Sequence, residues 1–111
     1  MSASNGYTKA ADIFAKPFKR QYKDVSIKNL GKFRVRSLNT SERVKLEMHC
    51  QENDSALAAI CIAHCVDADG NLIFTRADES KLMGRDWNAI AELASACQWN
   101  EEASEQDAVK N

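Results

Sequence analysis

The chain has 111 residues, of which 44% are hydrophobic and 28% charged, and its net charge is −1. That length supports one domain with tails and a modest core, and a single Pro with four Gly excludes a collagen-like or low-complexity chain. No apolar run reaches the roughly 18 residues a membrane span needs. The polar start, residues 1–8, lacks the apolar core of a leader, so Cys50, Cys61, Cys65 and Cys97 are expected as reduced thiols.

Charge is distributed unevenly. Residues 1–36 hold nine Lys/Arg against Asp12 and Asp24, a net +7, whereas residues 37–111 hold six basic and fourteen acidic residues, a net −8. Such a split is the ordinary result of two solvated faces, and it also suits contacts between copies or steering of a charged partner.

In chain order, residues 9–15 predict a short helix with Ala10, Ile13 and Phe14 on one side, stopped by Pro17. Tyr22, Val25 and Ile27, then Leu30, then Phe33 and Val35 alternate with Lys and Arg around Asn29-Leu30-Gly31-Lys32. This pattern predicts an antiparallel hairpin with one apolar and one basic face. Asn39 and Glu42 have capping-box spacing and open a helix whose apolar positions are Val44, Leu46 and Met48. Residues 51–54 interrupt it, and Asp54 or Ser55 caps a second helix over 56–66, apolar almost all round and therefore central.

Residues 67–71 predict a turn and 72–74 a brief extended piece. Thr75, with Asp78 three positions on, caps a short helix carrying Leu82 and Met83, which Gly84 ends through a positive φ. Asp86 caps the last helix, whose stripe is Trp87, Ile90, Leu93, Ala94 and Cys97. The expected organisation is a flexible segment with a short helix over 1–21, a single domain over 22–100 and a disordered acidic tail over 101–111. The expected fold class is α+β and mostly helical, with the N-terminal antiparallel β-hairpin packed on about four α-helices.

Chemistry is sparse. His49-Cys50 and Cys61-x-x-His64-Cys65 contain metal-ligating types, but paired Cys-x-x-Cys knuckles are absent. Buried thiols and an edge histidine explain the spacing better than zinc. Asp67-x-Asp69-Gly70-Asn71 has Gly two positions too early for a calcium loop and reads as a tight turn. No nucleophile elbow and no Gly-rich phosphate loop occurs, so catalytic, cofactor and metal residues are all expected to be none, and the chain is expected not to be an enzyme. The basic hairpin, with Lys28, Lys32, Arg34 and Arg36 near Tyr22 and Phe33, supports an alternative: a small nucleic-acid-binding regulator.

Three stretches, in this order, carry a family likeness. The first is Val25-Ser26-Ile27, then Leu30-Gly31-Lys32-Phe33-Arg34-Val35-Arg36 and Asn39-Thr40-Ser41-Glu42-Arg43. The second is Ile62-Ala63-His64-Cys65-Val66-Asp67-Ala68-Asp69-Gly70-Asn71-Leu72-Ile73-Phe74-Thr75. The third is Leu93-Ala94-Ser95-Ala96-Cys97-Gln98-Trp99-Asn100. Over about residues 20–100 the chain resembles the tail assembly chaperones of long-tailed bacteriophages, in the short form that precedes a programmed frameshift. The resemblance implies a non-catalytic chaperone-like domain over 22–100 that coats the tape measure protein until the tail tube forms around it. It implies a homo-oligomer, with the major tail protein as a second candidate partner. The setting would be the host bacterial cytoplasm, with absence from the mature virion. No residue role can be carried over from the family. The apolar residues that a core need not absorb give Phe14, Phe18 and Trp99 as candidate partner contacts, with Trp87 assigned to the core by its place in the stripe.

Overall fold

A computed structural model of the chain describes residues 6–98. It is α+β and mostly helical, as the periodicities predict. The elements are α1 (Ala10–Phe14), β1 (Tyr22–Ile27), β2 (Gly31–Arg36), α2 (Thr40–Glu52), α3 (Ala56–His64), β3 (Cys65–Val66), a 3₁₀ turn (Arg76–Asp78), α4 (Glu79–Met83) and α5 (Trp87–Cys97). The expected tail over 101–111 lies outside the described residues.

β1 and β2 form the hairpin, with Val25 opposite Phe33 and Lys23 opposite Val35. Alternate residues of a strand share a face, so Val25, Ile27, Phe33 and Val35 turn towards the core while Tyr22, Asp24, Arg34 and Arg36 occupy the other face. The turn between the strands places Asn29 at φ 71°, a left-handed geometry that Asn tolerates better than most residues, and the Leu30 N–H donates to the Ile27 carbonyl at 3.0 Å.

The helix over 56–66 ends two residues early. Cys65 and Val66 leave it in extended geometry and pair with Val35 and Arg34 of β2, making the sheet three-stranded in the order β1-β2-β3. Arg34 and Val35 of β2 are thereby paired on both sides, which overrides the local helical pattern. Val66 also bridges Leu72 across the predicted turn. Inside that turn the Asp67 carboxylate accepts from the Asp69 and Asn71 amides at 2.8 and 3.0 Å, which is the local role expected of Asp in a tight turn.

The core lies where α3 and α5 pack on each other and on the apolar face of the hairpin. Val35, Ala58, Cys61, Cys65, Leu93 and Cys97 are fully or almost fully buried there. Cys61, Cys65 and Cys97 gather at this contact. Hydrogen bonding to Cys61 and Cys65, then burial, push the Cys97 thiol far above its ordinary range. α5 starts as predicted, with Asp86 accepting from the Ala89 amide at 3.1 Å.

Three expectations fail locally. Gly84 ends α4 at φ −89° rather than at positive φ, because its N–H bonds back to the Ser80 and Lys81 carbonyls in a tightened last turn. Trp87 is 68% exposed rather than part of the core. It is the first residue of α5, and helical side chains lean towards the N-terminus, so its ring projects past the end of the packed stripe. His64, expected at an edge, is only 4% exposed.

Candidate partner-binding surface

Ahead of β1 the chain forms an arm that buries nothing. Asp12 accepts from the Lys9 N–H at 3.1 Å and starts α1, and Pro17 prevents its continuation, so the helix is too short to fold back and cover its own apolar residues. Phe14 is 82% exposed, Tyr7, Ile13 and Phe18 are exposed as well, and α1 has no buried residue. The sequence-predicted contacts Phe14 and Phe18 therefore share one projecting segment with Lys9, Lys16 and Lys19. Trp99, the third, lies outside the described residues.

The root of the arm is held firmly. Arg20 stacks over the Phe18 ring at 5.1 Å and donates to the Ser37 carbonyl at 2.8 Å. Its two terminal nitrogens also donate to the two oxygens of Glu42, each at 2.8 Å. Gln21 and Ser37 exchange two further bonds, through the Ser37 hydroxyl and through the Gln21 carbonyl, both at 2.8 Å. Glu42 closes the α2 capping box with Asn39 and lies 3.8 Å from Arg36. The bond from Arg20 dominates its environment, and the Glu42 carboxyl is held down at about 2. One carboxylate thus ties the arm, the end of β2 and the start of α2 together.

α2 extends the exposed apolar surface. It contains no buried residue, and Val44 and Met48, four positions apart on one side, remain exposed while Leu46 is half-buried. α2 rests on α3 through its half-buried side, which leaves Val44 and Met48 without a second layer over them among the described residues.

The arginines of the hairpin's basic face are engaged within the chain. Arg34 donates to Asp24 at 2.9 Å and to the Ala68 carbonyl, and Arg36 donates to the Ala63 carbonyl at 3.0 Å. This engages two of the four hairpin cations on which the nucleic-acid alternative rests. At the contact of α2, α3 and α4, His49 bonds Glu79 at 2.8 Å and the Ser55 hydroxyl donates to the same oxygen. The Glu79 carboxylate thus joins Ser55 at the start of α3 to His49 of α2. Nor do three His, Cys, Asp or Glu side chains converge as a metal site among the described residues. No described helix is long and apolar enough to cross a membrane.

A cavity of about 310 Å³ opens at the start of α2, lined by residues 37–40, Arg43, Val44 and His64. His64 Nδ1 lies 2.7 Å from the Ile60 carbonyl, which can only accept, so this nitrogen carries the proton and Nε2 the lone pair. Burial, reinforced by Arg36, Arg43 and Lys23, keeps the His64 pKa below its ordinary value. No sequence pattern pointed to this site, because its parts lie on a loop, the first turn of α2 and the last turn of α3. Comparisons of the chain with protein-family models, with curated proteins and with solved structures find no match.

Proposed function

We propose that this protein is a tail assembly chaperone of a long-tailed bacteriophage, in its short form. It binds the tape measure protein and keeps it soluble during tail assembly. It acts in the host cytoplasm as a homo-oligomer, makes or breaks no covalent bond, yields to tail tube subunits, with the major tail protein as a further partner, and is left out of the virion. The observation that carries the reading is the arm, whose four large apolar side chains are exposed on a firmly anchored root. A chaperone for a long helical chain needs apolar surface that the fold does not consume, and contacts modest enough to release. The exposed side of α2 adds to that surface, and the opposite charges of the front and back of the chain favour association between copies.

The test is co-expression with a tape measure protein. The native chain should raise the soluble fraction of the tape measure protein and co-purify with it. Phe14→Ser combined with Phe18→Ser should abolish both effects while costing the chain no more than the exposed Phe18–Arg20 contact, about 0.5–1 kcal/mol. No gain in solubility with the native chain, or full activity of the double variant, would refute the reading.

A further inference from the structure

The cavity at the start of α2 has the parts of a ligand site that the proposed function does not use. Thr40 and Ser41 are the first two residues of a 13-residue helix, and their amides have no hydrogen-bond partner among the described residues. The next amide, of Glu42, is already taken by Asn39. Arg43, which lines the same cavity as Thr40, uses Nε on Glu47 at 2.9 Å, and this leaves its other guanidinium donors available. Helix-terminal amides and a guanidinium together form a cradle for an oxyanion.

His64 supplies an independent observation. It is 4% exposed, its Nδ1 proton is committed to Ile60, and its Nε2 has no partner among the described residues. A buried acceptor of this kind calls for a donor. His64 lines the same cavity as Thr40 and Arg43, so a ligand that presents an anionic group together with an N–H or O–H on one small frame fits both. Leu38 and Val44 form the remaining wall, which suits a short apolar substituent, and about 310 Å³ admits a group the size of one or two amino-acid residues.

We infer that this cavity binds an acylated α-carboxylate with an apolar side chain: the carboxylate lies on the Thr40 amide and Arg43, the adjoining amide N–H donates to His64 Nε2, and the side chain rests on Leu38 and Val44. The C-terminal residue of a polypeptide has this chemistry, and so does a free N-acylamino acid. The inference stands apart from the arm and does not require that the protein be a chaperone.

The experiment titrates the full ¹⁵N-labelled chain with acetyl-Gly-Leu as the free acid and as its C-terminal amide, with N-acetyl-leucine, and with inorganic phosphate, following the Thr40 amide resonance. The free acid should shift this resonance, and amidation should weaken binding by about tenfold or more, the usual effect of losing a charge-assisted bond. Arg43→Gln, at an exposed position, should weaken the acid by a similar factor without altering the far-UV spectrum. His64→Phe should also weaken it where that variant folds, and Arg43→Gln decides the matter where it does not. Tighter binding of acetyl-Gly-Leu than of N-acetyl-leucine assigns the site to a chain end, and equal binding assigns it to a small acid. Equal shifts from acid and amide, binding unaffected by Arg43→Gln, phosphate acting at lower concentration than the acid, or no shift up to the solubility limit would each overturn the inference.

Discussion

Glu42 offers the sharpest test of how the parts of this molecule are joined. Glu42→Gln keeps the side-chain length and the amide-capping ability of the position, since Gln also serves in capping boxes, but removes the charge facing Arg20 and Arg36 and one of the two oxygens that accept from Arg20. Holding the carboxyl down from 4.5 to about 2 corresponds to at most about 3 kcal/mol of stability. The Glu42 side chain is 29% exposed, and solvent screening brings the expected loss to about 1–2 kcal/mol. The sign follows from linkage: this carboxyl loses its proton at a lower pH in the folded chain than in the unfolded one. Its contribution is therefore complete above about pH 4.5 and disappears as the pH falls through about 2. Urea unfolding followed by far-UV circular dichroism should place Glu42→Gln below the native chain by that amount at pH 7. The two curves should converge near pH 2. Other carboxylates titrate over the same range in both proteins and cancel in the difference. An equal gap at both pH values, or no gap at pH 7, would refute the assignment of this stability to charge.

Two further outcomes concern the core. Leu93→Ala removes a side chain that is 1% exposed where α5 meets the core, and should cost about 2–5 kcal/mol; a shift in the urea midpoint with an unchanged slope measures it, and a loss below about 1 kcal/mol would mean that α5 does not close the core. Brief alkylation of the native chain followed by mass spectrometry should label Cys50 alone. Cys61, Cys65 and Cys97 are buried and should react only on unfolding, so early modification of any of them contradicts the packing described.

Much of the architecture was legible because it is written locally. The Asn39–Glu42 capping box, the Asp86 cap and the Val25/Ile27 against Phe33/Val35 alternation each rely on residues within a few positions of one another, or on a turn that fixes their register. The failures are of another kind. A strand of two residues, Cys65–Val66, has no periodicity of its own and exists because β2 has a free edge for it. Spacing places Trp87 on the stripe of α5 but cannot say that the core ends before it. Phe14 and Phe18 could be singled out because Pro17 separates them from any longer amphipathic pattern. The cavity beside His64 could not, since residues 37–40 and His64 meet only through the packing of α2 against α3.

The arm's independence from the core has an evolutionary consequence. Ordinarily a large apolar side chain answers to two masters, because altering it for a new partner also unsettles the fold. Tyr7, Ile13 and Phe14 carry no such double burden, since none of them is buried in the fold. Their identities can drift or be swapped between relatives while the scaffold behind them stays fixed. Lineages of this protein should therefore diverge fastest across residues 7–18 and most slowly at the Arg20–Glu42 clasp that aims them.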